Sequence, residues 1–123
     1  MRVFDAARIA VALCEGIRWL ILVDVSKKSH GEGIGREAYG AKHIDMAEQL
    51  QQLRLIPLAV TAKGPQSALP QIDVLVARTQ KLWDDFAATS RDDIADHPAP
   101  LLDACEQIVK IAQELVSHSW PFS

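Results

Sequence analysis

The segment at residues 9–25, IAVALCEGIRWLILVDV, is the most apolar part of the chain and decides the fold class. Glu15 and Arg18 within it continue a series begun by Asp5 and Arg8, at steps of three or seven residues. Such steps keep the charges on one side of a helix while apolar residues fill the other sides. The polar side is narrow, so we expect this helix to be surrounded by other helices.

The same segment argues against membrane insertion and export. Glu15 and Arg18 interrupt its apolar run, which is also shorter than the roughly 20 residues that a bilayer requires. Asp5 and Arg8 do not fit a signal peptide. We therefore predict a buried helix over 3–24 in a cytoplasmic protein without membrane attachment. Gly16 lies within this helix and is expected to permit a close crossing of a neighbour.

Three further stretches have apolar residues at helical spacing. They predict helices over about 41–62, from about 68 to 90, and from about 98 onwards, each with roughly the length of the first. Pro57 lacks a backbone N–H, so a kink or a stop is expected near Leu55. Helices of equal length joined by turns predict an all-α fold, an up-down four-helix bundle that forms a single helical domain over 1–123.

An α/β arrangement is the alternative. Residues 18–26 (RWLILVDVS) and 55–61 (LIPLAVT) are rich in β-branched residues and could form two short parallel strands joined by the second helix. Two parallel strands make a poor sheet, and no third strand is evident. The all-helical prediction is therefore preferred.

A glycine-rich loop is predicted at 26–40, with the sequence SKKSHGEGIGREAYG. Glycine backbones and the start of a helix can turn N–H groups onto an anion, which makes this loop a candidate phosphate site. Its spacing matches neither GxGxxG nor GxxxxGK[ST], and a flexible connection is the alternative interpretation. The candidate anion-binding residues are Lys27, Lys28, His30, Gly31, Gly33, Gly35 and Arg36.

The segment 91–97, RDDIADH, resembles the Rx4-6H signature of HEPN-type ribonucleases, which are small helical bundles that act as dimers. The resemblance implies metal-independent RNA cleavage, in which Arg91 steadies the phosphate and His97 exchanges protons. It covers only these seven residues, and Pro98 after the histidine indicates a turn where the family has a helix. A solvated helix-end loop is the alternative, since nearby carboxylates repel RNA: Asp92, Asp93, Asp96 and Asp103.

Composition and charge limit the classes of partner. The net charge is −3, which gives no general attraction to nucleic acid. Residues 1–63 hold nine Lys/Arg and seven Asp/Glu, whereas 64–123 hold four and nine, so the two halves differ in sign. Cys14 and Cys105 lie at apolar helical positions and are expected to be buried, reduced and unpaired. No metal site and no cofactor is predicted.

The leading functional hypothesis is a non-catalytic interaction protein. A four-helix bundle buries only part of the surface of each helix. Because the first helix is apolar on nearly every side, its remaining apolar surface is expected to contact another protein surface. We therefore expect a homo-oligomer, most simply a homodimer, that also binds a protein partner. The alternatives are a HEPN-like ribonuclease that uses Arg91 and His97, and a protein that binds an anion or another small ligand.

Overall fold

Five helices and no strand make up the described part of the chain. The computed structural model describes the backbone of residues 2–30, 35–63 and 69–119, and the side chains of 5–27, 35–55 and 70–117. The helices are α1 (Arg2–His30), α2 (Arg36–Lys63), α3 (Leu69–Ala88), α4 (Arg91–Asp96) and α5 (Ala99–Ser119). The all-α bundle predicted from the sequence is confirmed. The alternative strands do not form, because 18–26 lies within α1 and 55–61 within α2.

Helix α1 is the central element, since it packs against each of the other four helices and most extensively against α5. Leu13, Ile17, Leu20 and Ile21 of α1 are fully buried. They belong to one apolar core that includes residues from all five helices. α1 is therefore surrounded by other helices, as its narrow polar side predicted. Most of its apolar surface is buried within one copy of the chain.

The helix bounds differ from the prediction around the glycine-rich segment. α1 extends to His30 and α2 begins at Arg36, so much of the loop predicted at 26–40 is helical. Residues 26–30 contain no glycine or proline to end α1, and Glu37 in the first turn of α2 complements the positive end of that helix. Residues 31–34 lie outside the described residues.

The later helix ends lie close to those predicted. α2 does not stop near Leu55 but continues through Pro57 to Lys63, next to the end predicted at about 62. The third helix ends at Ala88, and a separate short helix, α4, follows it. The Ser90 side chain caps α4 by accepting a hydrogen bond from the Asp93 N–H at 3.2 Å.

Helix α4 closes one end of the bundle. Its only buried residue, Ile94, is fully covered and joins the core. The helix ends where the His97 N–H donates to the Asp93 carbonyl at 2.8 Å. At the other end of α4, its first residue, Arg91, contacts Asp24 of α1.

A close approach of α1 and α2 occurs at Gly16, as the sequence predicted. A Cβ atom at this position would lie 3.1 Å from the Met46 sulfur, which is tighter than ordinary contact. The absence of a side chain at residue 16 thus lets α2 pack directly on the backbone of α1. None of the described helices has a stretch long and apolar enough to span a bilayer.

Candidate functional site

A buried ion pair joins α1 to α4. The Arg91 side chain donates to Asp24 through Nε, at 3.2 Å from Oδ1 and 3.3 Å from Oδ2, and through Nη2, at 2.7 Å from Oδ1. The Asp24 side chain is only 4% exposed and the Arg91 side chain 30%. The hydrogen bonds from Arg91 to this carboxylate raise the pKa of the guanidinium. Arg91 therefore holds its charge and is oriented toward the protein interior.

Aromatic side chains from α2 and α3 pack beneath the ion pair. The guanidinium carbon of Arg91 lies 3.9 Å from the centre of the Tyr39 ring, close enough for a cation–π contact. The His43 ring lies 4.9 Å from that of Tyr39, 5.2 Å from that of Trp83 and 5.1 Å from that of Phe86. We call the ion pair and these rings the Arg91 cluster: Asp24, Tyr39, His43, Trp83, Phe86 and Arg91.

Two titratable rings of the Arg91 cluster are shifted by their surroundings. Burial, followed by the nearby charge of Asp24, raises the pKa of Tyr39 to about 12. Burial, followed by the positive charge of Arg91, lowers the pKa of His43. The His43 Nε2 atom is buried, and no described residue forms a hydrogen bond with it. The folded protein therefore favours the neutral form of His43.

The pH dependence of stability follows from His43. Its pKa is lowered in the folded state, so the unfolded chain takes up the proton at a higher pH than the folded one. Stability is expected to be complete above about pH 6.5, the ordinary histidine pKa, and to fall as the pH decreases below it. Urea unfolding between about pH 5 and pH 8 measures the slope.

The matched variant for this prediction is His43→Phe, which keeps a ring of similar size among the aromatic side chains. It is expected to show a shallower decline of stability at acidic pH than the wild type. His97→Gln, at the exposed end of α4, is the control in which the His43 contribution remains. An unchanged slope in His43→Phe would contradict the assignment.

A depression of about 610 Å³ lies on the solvent side of the ion pair. Carboxylates outnumber cations in its lining, which consists of Asp24, Lys27, Arg91, Asp92, Ala95 and Asp96. A surface with this balance does not attract a polyanion. Arg91 is the residue that the HEPN resemblance assigned to phosphate, and here its guanidinium binds Asp24. His97 lies beyond the last residue of α4 as its C-terminal cap.

The candidate anion site can be described only in part. Lys27 lines the depression beside Arg91, and Gly35 and Arg36 are exposed at the start of α2. The Gly35 carbonyl accepts a hydrogen bond from the Tyr39 N–H at 3.0 Å. Gly31, Gly33 and the side chains of Lys28 and His30 lie outside the described residues.

A second surface feature is an apolar groove between the antiparallel helices α1 and α5. Two adjoining depressions form it, and they share Val11 and Glu15. Apolar side chains make up most of its length, with Leu22 at 46% exposure near one end. We call this surface the α1/α5 groove; its further lining residues are Ala7, Arg8, Ala12, Cys14, Arg18, Leu102, Asp103, Cys105, Glu106, Val109, Ala112, Gln113, Val116 and Ser117.

The two cysteines meet beneath the α1/α5 groove. Both are free and buried, as the sequence predicted. What the sequence did not predict is that they are neighbours: the Cys105 thiol donates to the Cys14 carbonyl at 3.7 Å. Their separation by 91 residues carries no local signal of this contact, which the antiparallel packing of α1 and α5 creates.

Comparison of the chain with protein-family models, curated proteins and solved structures finds no match. Among the described residues, no group of three or more His, Cys, Asp or Glu is placed to hold a metal ion. The α1/α5 groove is the surface on which the proposed function rests, whereas the Arg91 cluster contributes to stability.

Proposed function

We propose that this protein is a non-catalytic helical interaction module that forms a homodimer through the α1/α5 groove. The observation that carries the proposal is an apolar groove that runs along both helices and is bordered by charges of opposite sign. A second copy of the same surface would bury the apolar residues of the groove and pair its bordering charges. No chemical step is assigned to this surface.

Charge complementarity favours a second copy over an unrelated partner. Arg18 borders the groove on α1, whereas Asp103 and Glu106 border it on α5. In a two-fold dimer the same patch of each copy faces the other, so each contact occurs twice. When the two-fold axis runs along the groove, α1 of each copy faces α5 of the other, and Arg18 of each copy lies opposite Asp103 and Glu106 of the other copy. Such pairing at the edge of an apolar patch fixes orientation more than affinity.

Among the side chains that the structure describes, the exposed apolar residues of α2 and Trp19 do not form a comparable surface. Ile44 and Leu55 of α2 are both 63% exposed, but the helix face between them carries exposed polar residues: Glu48, Gln51 and Gln52. Trp19 is covered in part by Lys42, whose Nζ lies 5.4 Å from the centre of a Trp19 ring. Isolated apolar residues of this kind are common on protein surfaces.

Self-association is tested by sedimentation velocity across the micromolar concentration range. The wild type is expected to sediment as a dimer, and Leu22→Glu is expected to weaken association by about tenfold or more, because it puts an unpaired charge in the apolar groove. Leu55→Glu makes the same change at an exposed leucine on α2 and is expected to leave the dimer intact. A wild-type monomer throughout this range, or equal effects of the two variants, would contradict the proposal.

A further inference from the structure

We propose that Cys14 and Cys105 form a redox-active dithiol, which a hydroperoxide oxidises to a disulfide that joins α1 to α5. The inference concerns a covalent modification and goes beyond the proposed self-association. It starts from the position of the two thiols, which lie side by side between the two helices that pack most extensively. Both cysteines also line the same depression of the α1/α5 groove.

The contact geometry suits a disulfide. The Cys105 sulfur lies 3.7 Å from the Cys14 carbonyl oxygen, so it already rests against the backbone of the residue it would bond. The two side chains lie close enough for each to affect the ionisation of the other. Rotation of each cysteine side chain about its Cα–Cβ bond moves only the sulfur atom, and such rotation can bring two neighbouring sulfurs to bonding distance.

The surroundings make the two thiols unequal. The neighbouring Cys14 side chain, together with the positive charge of Arg18, lowers the pKa of Cys105 against the opposing effect of burial. The neighbouring Cys105 side chain, followed by burial, raises the pKa of Cys14. Arg18 lines the same depression as Cys105, and a nearby cation favours the nucleophilic thiolate, so Cys105 is assigned as the thiol that reacts first and Cys14 as the resolving thiol.

The reaction has two steps. The Cys105 thiolate attacks one oxygen of the hydroperoxide; the O–O bond breaks, and the departing oxygen takes a proton and leaves as an alcohol or water. Cys105 is then a sulfenic acid. The Cys14 sulfur attacks the Cys105 sulfur, the S–O bond breaks, and hydroxide leaves with the Cys14 proton as water. Overall, two thiols lose two electrons and two protons, and the hydroperoxide is reduced.

Access through the groove selects for small oxidants. Cys14 is 2% exposed and Cys105 is 4% exposed, so a bulky aromatic disulfide reagent does not reach either thiol in the folded protein. Hydrogen peroxide is no larger than two waters and fits the groove. Self-association would cover the groove, so the reaction is measured at sub-micromolar protein concentration.

The experiment treats the folded protein with hydrogen peroxide and measures the intact mass and the melting temperature. We expect the mass to fall by two hydrogen atoms and the melting temperature to rise by about 10 °C, since the crosslink closes a long loop. Dithiothreitol is expected to reverse both changes. Peptide mapping is expected to show Cys14 linked to Cys105 within one chain.

Two variants separate the roles of the thiols. Cys14→Ser is expected to accumulate a sulfenic acid at Cys105 that dimedone traps, whereas Cys105→Ser is expected to react more slowly by at least tenfold and to give no adduct. Disulfide formation that occurs only in urea, a disulfide between chains instead of within one, or equal dimedone labelling of the two variants would overturn the proposal.

Discussion

Replacement of Leu13 or Ile17 by aspartate is expected to prevent folding. Both side chains are fully buried at the centre of α1, the helix that packs against all the others. Each substitution removes about 2 to 3 kcal/mol of apolar burial and adds the cost of an unpaired charge in the core. The sum approaches the whole stability of a typical domain of this size, which is about 5 to 15 kcal/mol. Circular dichroism should show loss of helicity and of a cooperative melting transition.

Ser26→Asp is the matched control, because it introduces the same charge at an exposed position of the same helix outside the α1/α5 groove. It is expected to remain helical and to melt cooperatively. Native-like melting of Leu13→Asp or Ile17→Asp would show that α1 is not the centre of the core.

Removal of Arg91 is expected to produce the second largest effect. Arg91→Ala leaves the Asp24 carboxylate buried without the guanidinium that compensates its charge, and loss of one partner of a buried pair costs about 3 to 5 kcal/mol. Because the Arg91 side chain is 30% exposed, we expect a value of about 3 kcal/mol. Urea unfolding measures the change.

Two comparisons isolate the buried charge as the cause. The double variant Asp24→Leu/Arg91→Met replaces both charges by apolar groups and is expected to recover most of the lost stability. Lys81→Ala breaks an exposed pair with Asp85, whose atoms lie 2.8 Å apart, and is expected to change stability by only a few tenths of a kcal/mol. A similarly small loss for Arg91→Ala, or no recovery in the double variant, would contradict the assignment.

The fold class could be predicted from sequence because it depends on local periodicity. Apolar residues recur at the helical period in each long helix, and the narrow polar side of α1 marked it as the surrounded element. The helix ends were harder to predict, since they depend on competition between weak local preferences and packing. Pro57 shows this competition, because α2 continues through a residue that usually ends a helix. The short α4 has too few turns for periodicity to reveal it.

Of the Arg91 cluster, the sequence analysis assigned a functional role only to Arg91, and it did so because of the HEPN resemblance. A signal for it did exist: Asp24 follows Leu13, Ile17 and Leu20 at helical spacing, so a carboxylate occupies a position of the buried stripe. Such a group requires a charged partner. The identity of that partner, Arg91, depends on how α4 folds over the bundle, which sequence spacing does not encode.

The α1/α5 groove likewise depends on three-dimensional packing. The sequence predicted an apolar surplus on the first helix, but α2, α3 and α4 cover much of it. The apolar surface of α1 that remains exposed lies beside α5. The helical pattern of α5 does not show which helix it packs against. The contact of Cys14 with Cys105 arises from the same pairing of helices.

Charge exchange across the proposed dimer tests the central claim most directly. Arg18→Glu and the double variant Asp103→Lys/Glu106→Lys are each expected to weaken self-association, because like charges then meet at both edges of the interface. An equimolar mixture of the two proteins is expected to form a heterodimer in which every pairing is again between opposite charges. Sedimentation velocity of each protein alone and of the mixture measures this. Monomers alone and dimers in the mixture are the predicted result, whereas two variants that associate like the wild type, or a mixture that remains monomeric, would contradict the proposed interface.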